Sequence, residues 1–228
     1  MTIVCMDTNE TEFYQIKIVI AGAGGHGRVL LDILRNNHQF EVVAFLDADN
    51  ALHGKIIDGL EVIGDLDTLD NFQSLGIGCS IIAIGDNRIR QAYAKRFEKN
   101  YIPLVSAIHP SATMVDTATV GKNVTIAAGA NIWTYVTIEN SAIVNTGAIV
   151  DHESHIQKAS HICPGDRVAG HVVVRPGIYW YWCYNYSRDF NRRSGHCRCR
   201  RGCLGRCTAL CHCCRRTSQK NHSPKIVR

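Results

Sequence analysis

The chain has 228 residues and a formal net charge of +5, which is enough length for one large domain or two small ones, each with its own core. No apolar run reaches the roughly 20 residues that a membrane-spanning helix needs, and the acidic residues 1–11 do not resemble a signal peptide. We therefore expect a cytoplasmic protein without a membrane span. The few cysteines of residues 1–177 agree with a reducing compartment.

The average composition conceals two different segments. Residues 1–177 contain 13 Lys and Arg against 19 Asp and Glu, whereas residues 178–228 contain 12 against 1. Eight of the 11 cysteines also lie in the second segment. The positive charge therefore does not indicate a nucleic-acid partner. We expect an N-terminal extension (1–15), a nucleotide-binding domain (16–105), a repeat domain (106–177) and an aberrant basic, Cys-rich tail (178–228).

The first of these domains has the pattern of a small parallel sheet. Residues 16–21 are apolar and β-branched, which is typical of a buried parallel strand. A glycine-rich loop follows, and residues 29–34 have the apolar spacing of a helix. Further strands are predicted at 42–46 and 80–84, and a further helix at 89–99. This alternation indicates a Rossmann-like α/β domain.

The glycine-rich loop suggests a nucleotide site. Its glycines permit a tight turn and let the backbone approach a phosphate at the helix N-terminus. Asp47 ends the second predicted strand about 20 residues later, where an acid can bond a ribose or base; a helix cap or a simple strand end is the alternative. A nucleotide-shaped fold without a ligand also fits, and so does a dehydrogenase, although little chain remains for its substrate domain.

A six-residue period begins at Ile108. Aliphatic residues occupy every sixth position without a gap, and small or β-branched residues follow four positions later in all repeats except at Asp166. This period is typical of a β-solenoid, in which each hexapeptide makes one short strand and one turn. The aliphatic residues are Ile108, Met114, Val120, Ile126, Ile132, Ile138, Val144, Val150, Ile156, Ile162, Val168 and Val174.

Over residues 16–177 the chain resembles the NeuD/PglD family of sugar acetyltransferases. The resemblance rests on the loop Gly22-Ala23-Gly24-Gly25-His26-Gly27, on Phe45-Leu46-Asp47, on Ile108-His109-Pro110-Ser111-Ala112, and above all on residues 144–153 with 161–165. It implies a left-handed parallel β-helix that forms a homotrimer, with acetyl-CoA bound between subunits and no metal. The implied acceptor is an amine or hydroxyl of a nucleotide-linked sugar or of sialic acid.

The resemblance also assigns roles to individual residues. His152 is the expected general base, since imidazole can take up a proton near neutral pH, and Glu153 is the expected acid that holds its ring. Asn145, His161 and Gly170 are expected to contact acetyl-CoA. Gly24, Gly25, His26, Gly27, Asp47 and Asn87 are expected to contact the nucleotide sugar. For His152 the competing interpretation is a polar turn residue, and His109, His155 and His171 are expected to be solvated.

The repeat stops abruptly after residue 177. The next aliphatic positions hold Trp180, Tyr186, Arg192 and Arg198, and the clustered cysteines form no pair of CxxC knuckles. Codons for Trp, Tyr and Cys read one base later give Gly, Ile or Thr, and Val or Ala. Residues 178–186 then resume the repeat in phase. We therefore expect a one-base frame change near residue 177 and a truncated β-helix.

These observations predict an acetyltransferase impaired by the loss of its last coils. The alternatives are a non-catalytic solenoid that binds a nucleotide sugar, and a basic Cys-rich tail that binds metal or nucleic acid. The sequence does not distinguish amine from hydroxyl acceptors, identify the sugar, or establish trimerisation of the chain as written.

Overall fold

The computed structural model describes residues 15–175 and the backbone of one further strand, Ile178–Tyr179. The predictions made for the N-terminal extension and for residues 180–228 lie outside the described residues. Within them, an α/β domain is followed by a left-handed parallel β-helix, so the predicted fold class is confirmed.

The α/β domain contains a three-stranded parallel sheet in the order β2-β1-β5. Its strands are β1 (Ile16–Ala21), β2 (Phe40–Leu46) and β5 (Cys79–Ile82), and its helices are α1 (Gly25–Arg35) and α2 (Asn87–Lys99). The sequence had not indicated the hairpin of β3 (Ile56–Ile57) and β4 (Leu60–Glu61), nor the 3-10 helices Asn50–Leu52 and Leu66–Asn71.

Both faces of the sheet are buried because alternate residues of a strand point to opposite sides. Ile18 and Ile20 of β1 pack in one cluster with Leu30 of α1. Val19 of β1 packs in a second cluster with Phe97 of α2. The central strand therefore lies between the two helices, as its continuous apolar sequence predicted.

The β-helix consists of two-residue strands at six-residue intervals. Strands three repeats apart pair in parallel, 18 residues apart, and form three sheets: β16-β13-β10-β7, β17-β14-β11-β8 and β18-β15-β12-β9-β6. In the described part of the chain the strands are β6 (Ala107–Ile108), β7 (Thr113–Met114), β8 (Thr119–Val120), β9 (Thr125–Ile126), β10 (Asn131–Ile132), β11 (Thr137–Ile138), β12 (Ile143–Val144), β13 (Ile149–Val150), β14 (His155–Ile156), β15 (His161–Ile162), β16 (Arg167–Val168), β17 (Val173–Val174) and β18 (Ile178–Tyr179).

The aliphatic residues of the repeat fill the interior from the second coil onward. Ile126, Ile132, Val144, Val150 and Ile162 are fully buried. Ile108 and Met114, in the first coil, remain more than a third exposed. No preceding coil covers them within residues 15–175, which shows that a solenoid position is buried only when its neighbouring coils are present.

The corners of the β-helix have left-handed backbone. The residue three positions after each interior aliphatic has a φ between 53° and 73° from Asn123 to His171. One edge carries Gly129, Gly147 and Gly165, for which this conformation is easy. The second edge carries Asn123, Ser141 and Ala159, and the third carries Tyr135, Glu153 and His171. Each edge therefore has its own chemistry.

The last described strand departs from the period. Earlier strands pair at 18-residue intervals, but β18 pairs Ile178 with His161 and Tyr179 with Ile162, an interval of 17. Backbone pairing continues where the side-chain pattern had already stopped, because a parallel ladder needs only N–H and C=O groups.

Candidate active site

The glycine-rich loop has two kinds of glycine. A Cβ on Gly27 would lie 2.0 Å from the carbonyl oxygen of Gly22, and a Cβ on Gly22 would lie 2.7 Å from that of Ala83. These two glycines are required by backbone packing. Gly24 and Gly25 face open space, and Gly24 caps α1 without a side-chain hydrogen bond. The N-terminus of α1 therefore presents uncapped N–H groups.

Asp47 supports this loop from the end of β2. Its Oδ2 accepts a hydrogen bond from the N–H of Ala23 at 2.8 Å, and its Oδ1 accepts one from the N–H of Asp49 at 3.0 Å. The carboxylate thus fixes the position of the loop, a role that the strand–loop spacing had not suggested.

A buried arginine joins the α/β domain to the β-helix. Arg90 on α2 is fully buried. Its Nε donates to the carbonyl oxygen of Ser141 at 2.8 Å, and its Nη2 donates to that of Ala159 at 3.0 Å, both on one edge of the β-helix. Burial lowers the pKa of Arg90 to about 10, so the group stays charged at neutral pH.

Asn87, expected at the nucleotide sugar, belongs to this junction. Its Oδ1 accepts a hydrogen bond from Nη2 of Arg90 at 2.8 Å. The Nη1 of Arg90 donates to the carbonyl oxygens of Ile84 and Gly85 at 2.6 and 3.0 Å. Asn87 therefore helps to orient the guanidinium, and its amide oxygen is already occupied.

The junction also brings His26 close to His161. Burial, the charge of His161 and that of Arg90 lower the pKa of His26 to about 4, and burial together with Arg90 lowers the pKa of His161 to about 4. The Nδ2 of Asn145 donates to Nε2 of His161 at 3.2 Å, which places the proton of neutral His161 on Nδ1. That Nδ1 and the Nε2 of His26 are buried without a hydrogen-bond partner among the described residues.

His152 lies on the edge of the β-helix that carries Tyr135, Glu153 and His171. Its ring packs over Gly170 in the next coil, where a Cβ would lie 2.5 Å from Cε1 and Nε2 of the imidazole. The N–H of His152 donates to Oδ1 of Asp151 at 2.7 Å. Gly170 therefore makes room for the imidazole, and no described residue hydrogen-bonds its ring nitrogens.

Glu153 does not hold the ring of His152 in this structure. Its Oε2 lies 2.6 Å from Nδ1 of His171. The rings of His152 and His171 meet edge to face, with centroids 4.9 Å apart. The backbone explains this arrangement: Glu153 and His171 occupy equivalent left-handed corners of consecutive coils, so their side chains are stacked neighbours, whereas His152 precedes the corner.

His171 is therefore the residue that sequence reasoning missed. It was expected to be solvated, and it is half exposed, yet it contacts both members of the expected catalytic pair. The signal was available in the sequence, because His171 follows Glu153 by 18 residues, the length of one coil.

The expected site residues form two groups. His26, Asn145, His161 and Asn87 lie at the junction with the β6–β9–β12–β15 sheet. His152, Glu153 and Gly170 lie at the edge between the other two sheets. In a three-sided prism this edge is opposite the junction, so a single chain does not bring the two groups together.

Comparisons with known proteins place this geometry in a family. Residues 17–97 match the model of the PglD N-terminal domain. A GDP-perosamine N-acetyltransferase of Caulobacter crescentus, solved with CoA and GDP-perosamine, is 37% identical; the match covers 69% of this chain and 73% of that one, with a TM-score of 0.64. The chain belongs to the PglD-type sugar N-acetyltransferase family.

Other members of the family match the same region. The acetyltransferase domain of PglB from Neisseria gonorrhoeae FA1090, solved with acetyl coenzyme A, is 29% identical, with 70% of this chain and 76% of that chain covered and a TM-score of 0.65. The GDP-perosamine N-acetyltransferase of Escherichia coli O157:H7 is 24% identical over 173 residues, or 70% of this chain and 73% of that protein. None of the described helices has the length and apolar character to cross a membrane.

Proposed function

We propose that this protein transfers the acetyl group of acetyl-CoA to an amino group of a nucleotide-linked sugar. The observation that carries the proposal is the 37% identity to an enzyme whose structure contains both CoA and GDP-perosamine. A hydroxyl acceptor, as in sialic acid, is the alternative within acetyl transfer. The relatives named above that carry a substrate in their names are N-acetyltransferases, which favours the amine.

His152 acts as the general base in this proposal. As the sugar amine attacks the thioester carbonyl, a C–N bond forms and the C–S bond breaks; a ring nitrogen of His152 takes the amine proton, which then passes to the departing CoA thiolate. The half-open imidazole with unoccupied ring nitrogens supports this role. Glu153 then acts through His171, because its carboxylate pairs with that residue and not with His152.

The nucleotide sugar is placed at the N-terminus of α1. Gly24 and Gly25 leave open space there, and uncapped N–H groups at a helix N-terminus favour phosphate. His26 and Gly27 form the same turn, and Asp47 holds it in position. Asn145, His161 and Gly170 are proposed contacts of acetyl-CoA along the β-helix.

A homotrimer supplies what one chain lacks. The edge with His152 lies opposite the junction with the α/β domain, so the base needs an α/β domain from a neighbouring copy. Packing of three prisms provides such neighbours and leaves a groove between them for acetyl-CoA. We propose that the active enzyme is a cytoplasmic homotrimer.

The tail bears on whether this particular chain is active. We propose that a one-base frame change near residue 177 removed the last coils and impaired the acetyl-CoA groove. The 17-residue interval of β18 supports this: it puts position 179 in the interior position of the repeat, where the shifted codons encode Ile or Thr.

Two experiments test the proposal. Resequencing the DNA of codons 165–228 establishes whether the frame changes. The purified 228-residue chain and a frame-restored version are then incubated with acetyl-CoA and with GDP- or UDP-linked 4-amino sugars, and the acetylated sugar is measured by mass spectrometry. We expect product from the restored chain and at most slow turnover from the 228-residue chain. Nucleotide-sugar binding without product from the restored chain would instead indicate the non-catalytic solenoid.

A further inference from the structure

The edge of the β-helix near His152 carries a second feature, independent of acetyl transfer. His152, Glu153 and His171, here called the His–Glu–His cluster, each offer one ligand atom, and these three atoms lie within 4.8 Å of one another. All three side chains are exposed. Two imidazoles and one carboxylate on neighbouring coils form a donor set typical of divalent transition metals.

The backbone of the cluster is fixed independently of its side chains. The N–H of His171 donates to the carbonyl oxygen of His152 at 2.9 Å, and the N–H of Glu153 donates to that of Thr134 at 2.9 Å. Ligand atoms around one ion must be closer together than 4.8 Å, but side-chain rotations suffice to bring them there. The coils themselves do not have to move.

The donor set also determines which cation fits. Nitrogen ligands favour Zn²⁺, Co²⁺ and Ni²⁺, whereas Mg²⁺ and Ca²⁺ prefer oxygen ligands. With both imidazoles neutral, the cluster carries one negative charge, which favours a cation. The ion displaces the proton between Nδ1 of His171 and Oε2 of Glu153, which lie 2.6 Å apart.

We propose that the His–Glu–His cluster binds Zn²⁺ or a similar divalent transition metal, and that the bound ion inhibits the enzyme. The metal is not a cofactor here. It occupies a lone pair of His152, and a coordinated imidazole cannot accept the amine proton. The inhibitory part rests on the proposed role of His152 as base, whereas the binding part rests on the geometry alone.

A second His–Glu pair provides a matched control. His155 Nε2 lies 2.5 Å from Oε1 of Glu139, and both residues are partly exposed. The other carboxylate oxygen of Glu139 accepts a hydrogen bond from the N–H of Lys158 at 2.9 Å. This pair has the same chemistry but lacks a third ligand, so a single imidazole and a single carboxylate are expected to bind metal far more weakly.

The binding experiment uses the full chain after alkylation of its accessible thiols with iodoacetamide, because tail cysteines would otherwise bind the metal. Co²⁺ is titrated and its visible d–d absorption recorded, and Zn²⁺ is then added as a competitor. Loss of an outer-shell partner alone lowers metal affinity about 10- to 100-fold. His171→Gln removes a direct ligand and is expected to lower affinity at least about 10-fold, while His155→Gln leaves it unchanged. Circular dichroism verifies that both variants fold.

Equal Co²⁺ affinity of the wild type and His171→Gln would overturn the proposed site. Inhibition is measured separately on the frame-restored enzyme, with Zn²⁺ added and then removed by EDTA. Reversible inhibition supports the proposal, and full activity at saturating Zn²⁺ would overturn its inhibitory part. If the restored enzyme does not acetylate sugars, the proposed function fails, but the Co²⁺ titration still decides whether the cluster binds metal.

Discussion

The Nε of Arg90 donates to the carbonyl oxygen of Ser141 at 2.8 Å, and this bond links α2 to an edge of the β-helix. The same guanidinium also bonds Ala159 one coil further on. A single side chain therefore sets how the α/β domain sits on the solenoid, and with it the position of the glycine-rich loop.

Replacing Arg90 with Met is expected to lower the free energy of unfolding by about 3 kcal/mol or more, because hydrogen bonds to charged groups contribute about 1.5–3 kcal/mol each and several buried carbonyls lose their donor. Arg90→Lys should recover only part of this, since an ammonium lacks the planar fork. Urea unfolding measures the change. Arg88→Met, at an exposed position of the same helix, is the control, and equal unfolding midpoints for both Met variants would contradict the assigned role.

Replacing His152 with Ala in the frame-restored enzyme is expected to lower kcat about 10²- to 10⁴-fold, the usual contribution of a general base. The assembly state, measured by light scattering, should not change, because the side chain lies on an exposed edge. His155→Ala is the matched control, since His155 is also paired and partly exposed. Wild-type turnover of His152→Ala would remove this residue from the mechanism.

Replacing Gly170 with Ala is expected to displace the ring of His152, because the new Cβ would lie 2.5 Å from Cε1 and Nε2. Misplacement of a reacting group by about 1 Å can cost about 100-fold in rate, so we expect kcat to fall about 10- to 100-fold while the melting temperature changes little. Gly85→Ala, where a Cβ meets open space, should retain full activity. A large loss of stability in Gly170→Ala alone would indicate a packing role instead.

Acid is expected to destabilise the junction through His26 and His161. Both have pKa values lowered to about 4 in the folded protein, against about 6.5 in an unfolded chain. Neither group affects stability well above pH 6.5, where both states are neutral. As the pH falls from about 6.5 to 4, the unfolded state binds more protons and stability is lost, by at most about 1.4 kcal/mol per pH unit for each histidine.

The melting temperature of the 228-residue chain, recorded between pH 4 and 8, tests this. A His161→Asn variant should show a shallower decline below pH 6.5 than the wild type. His109→Asn is the control, because His109 is exposed and lies outside the junction. If His161→Asn and the wild type declined in parallel, the buried neutral histidine would not be the cause.

The sequence predicted most of the fold because both of its signals are strictly periodic. The alternation around residues 16–46 indicated the parallel sheet, and the six-residue spacing from Ile108 to Val174 indicated the β-helix. The hairpin Ile56–Ile57 with Leu60–Glu61 was missed because two-residue strands leave almost no pattern. Exposure of Ile108 and Met114 was missed because a repeat does not indicate which coil lies at an end of the stack.

The site was predicted less completely, since its contacts are set by tertiary packing. The resemblance indicated His152 and His161, but no local pattern shows that Glu153 pairs with His171. Arg90 was not considered at all, because a buried guanidinium on an otherwise ordinary helix has no signature in sequence. Asn87 was assigned to the nucleotide sugar, whereas its amide oxygen bonds Arg90.

The three edges of the β-helix also limit which insertions and deletions the protein tolerates. A segment of six residues added before β13 would rotate His152 by a third of a turn and place it on the edge that now carries glycines or on the one bonded to Arg90. A segment of 18 residues would only shift it along the axis and preserve its edge. Length changes in multiples of a full coil are therefore the ones that conserve the site, and the arithmetic of 18 constrains the evolution of this scaffold as strongly as the identity of any side chain.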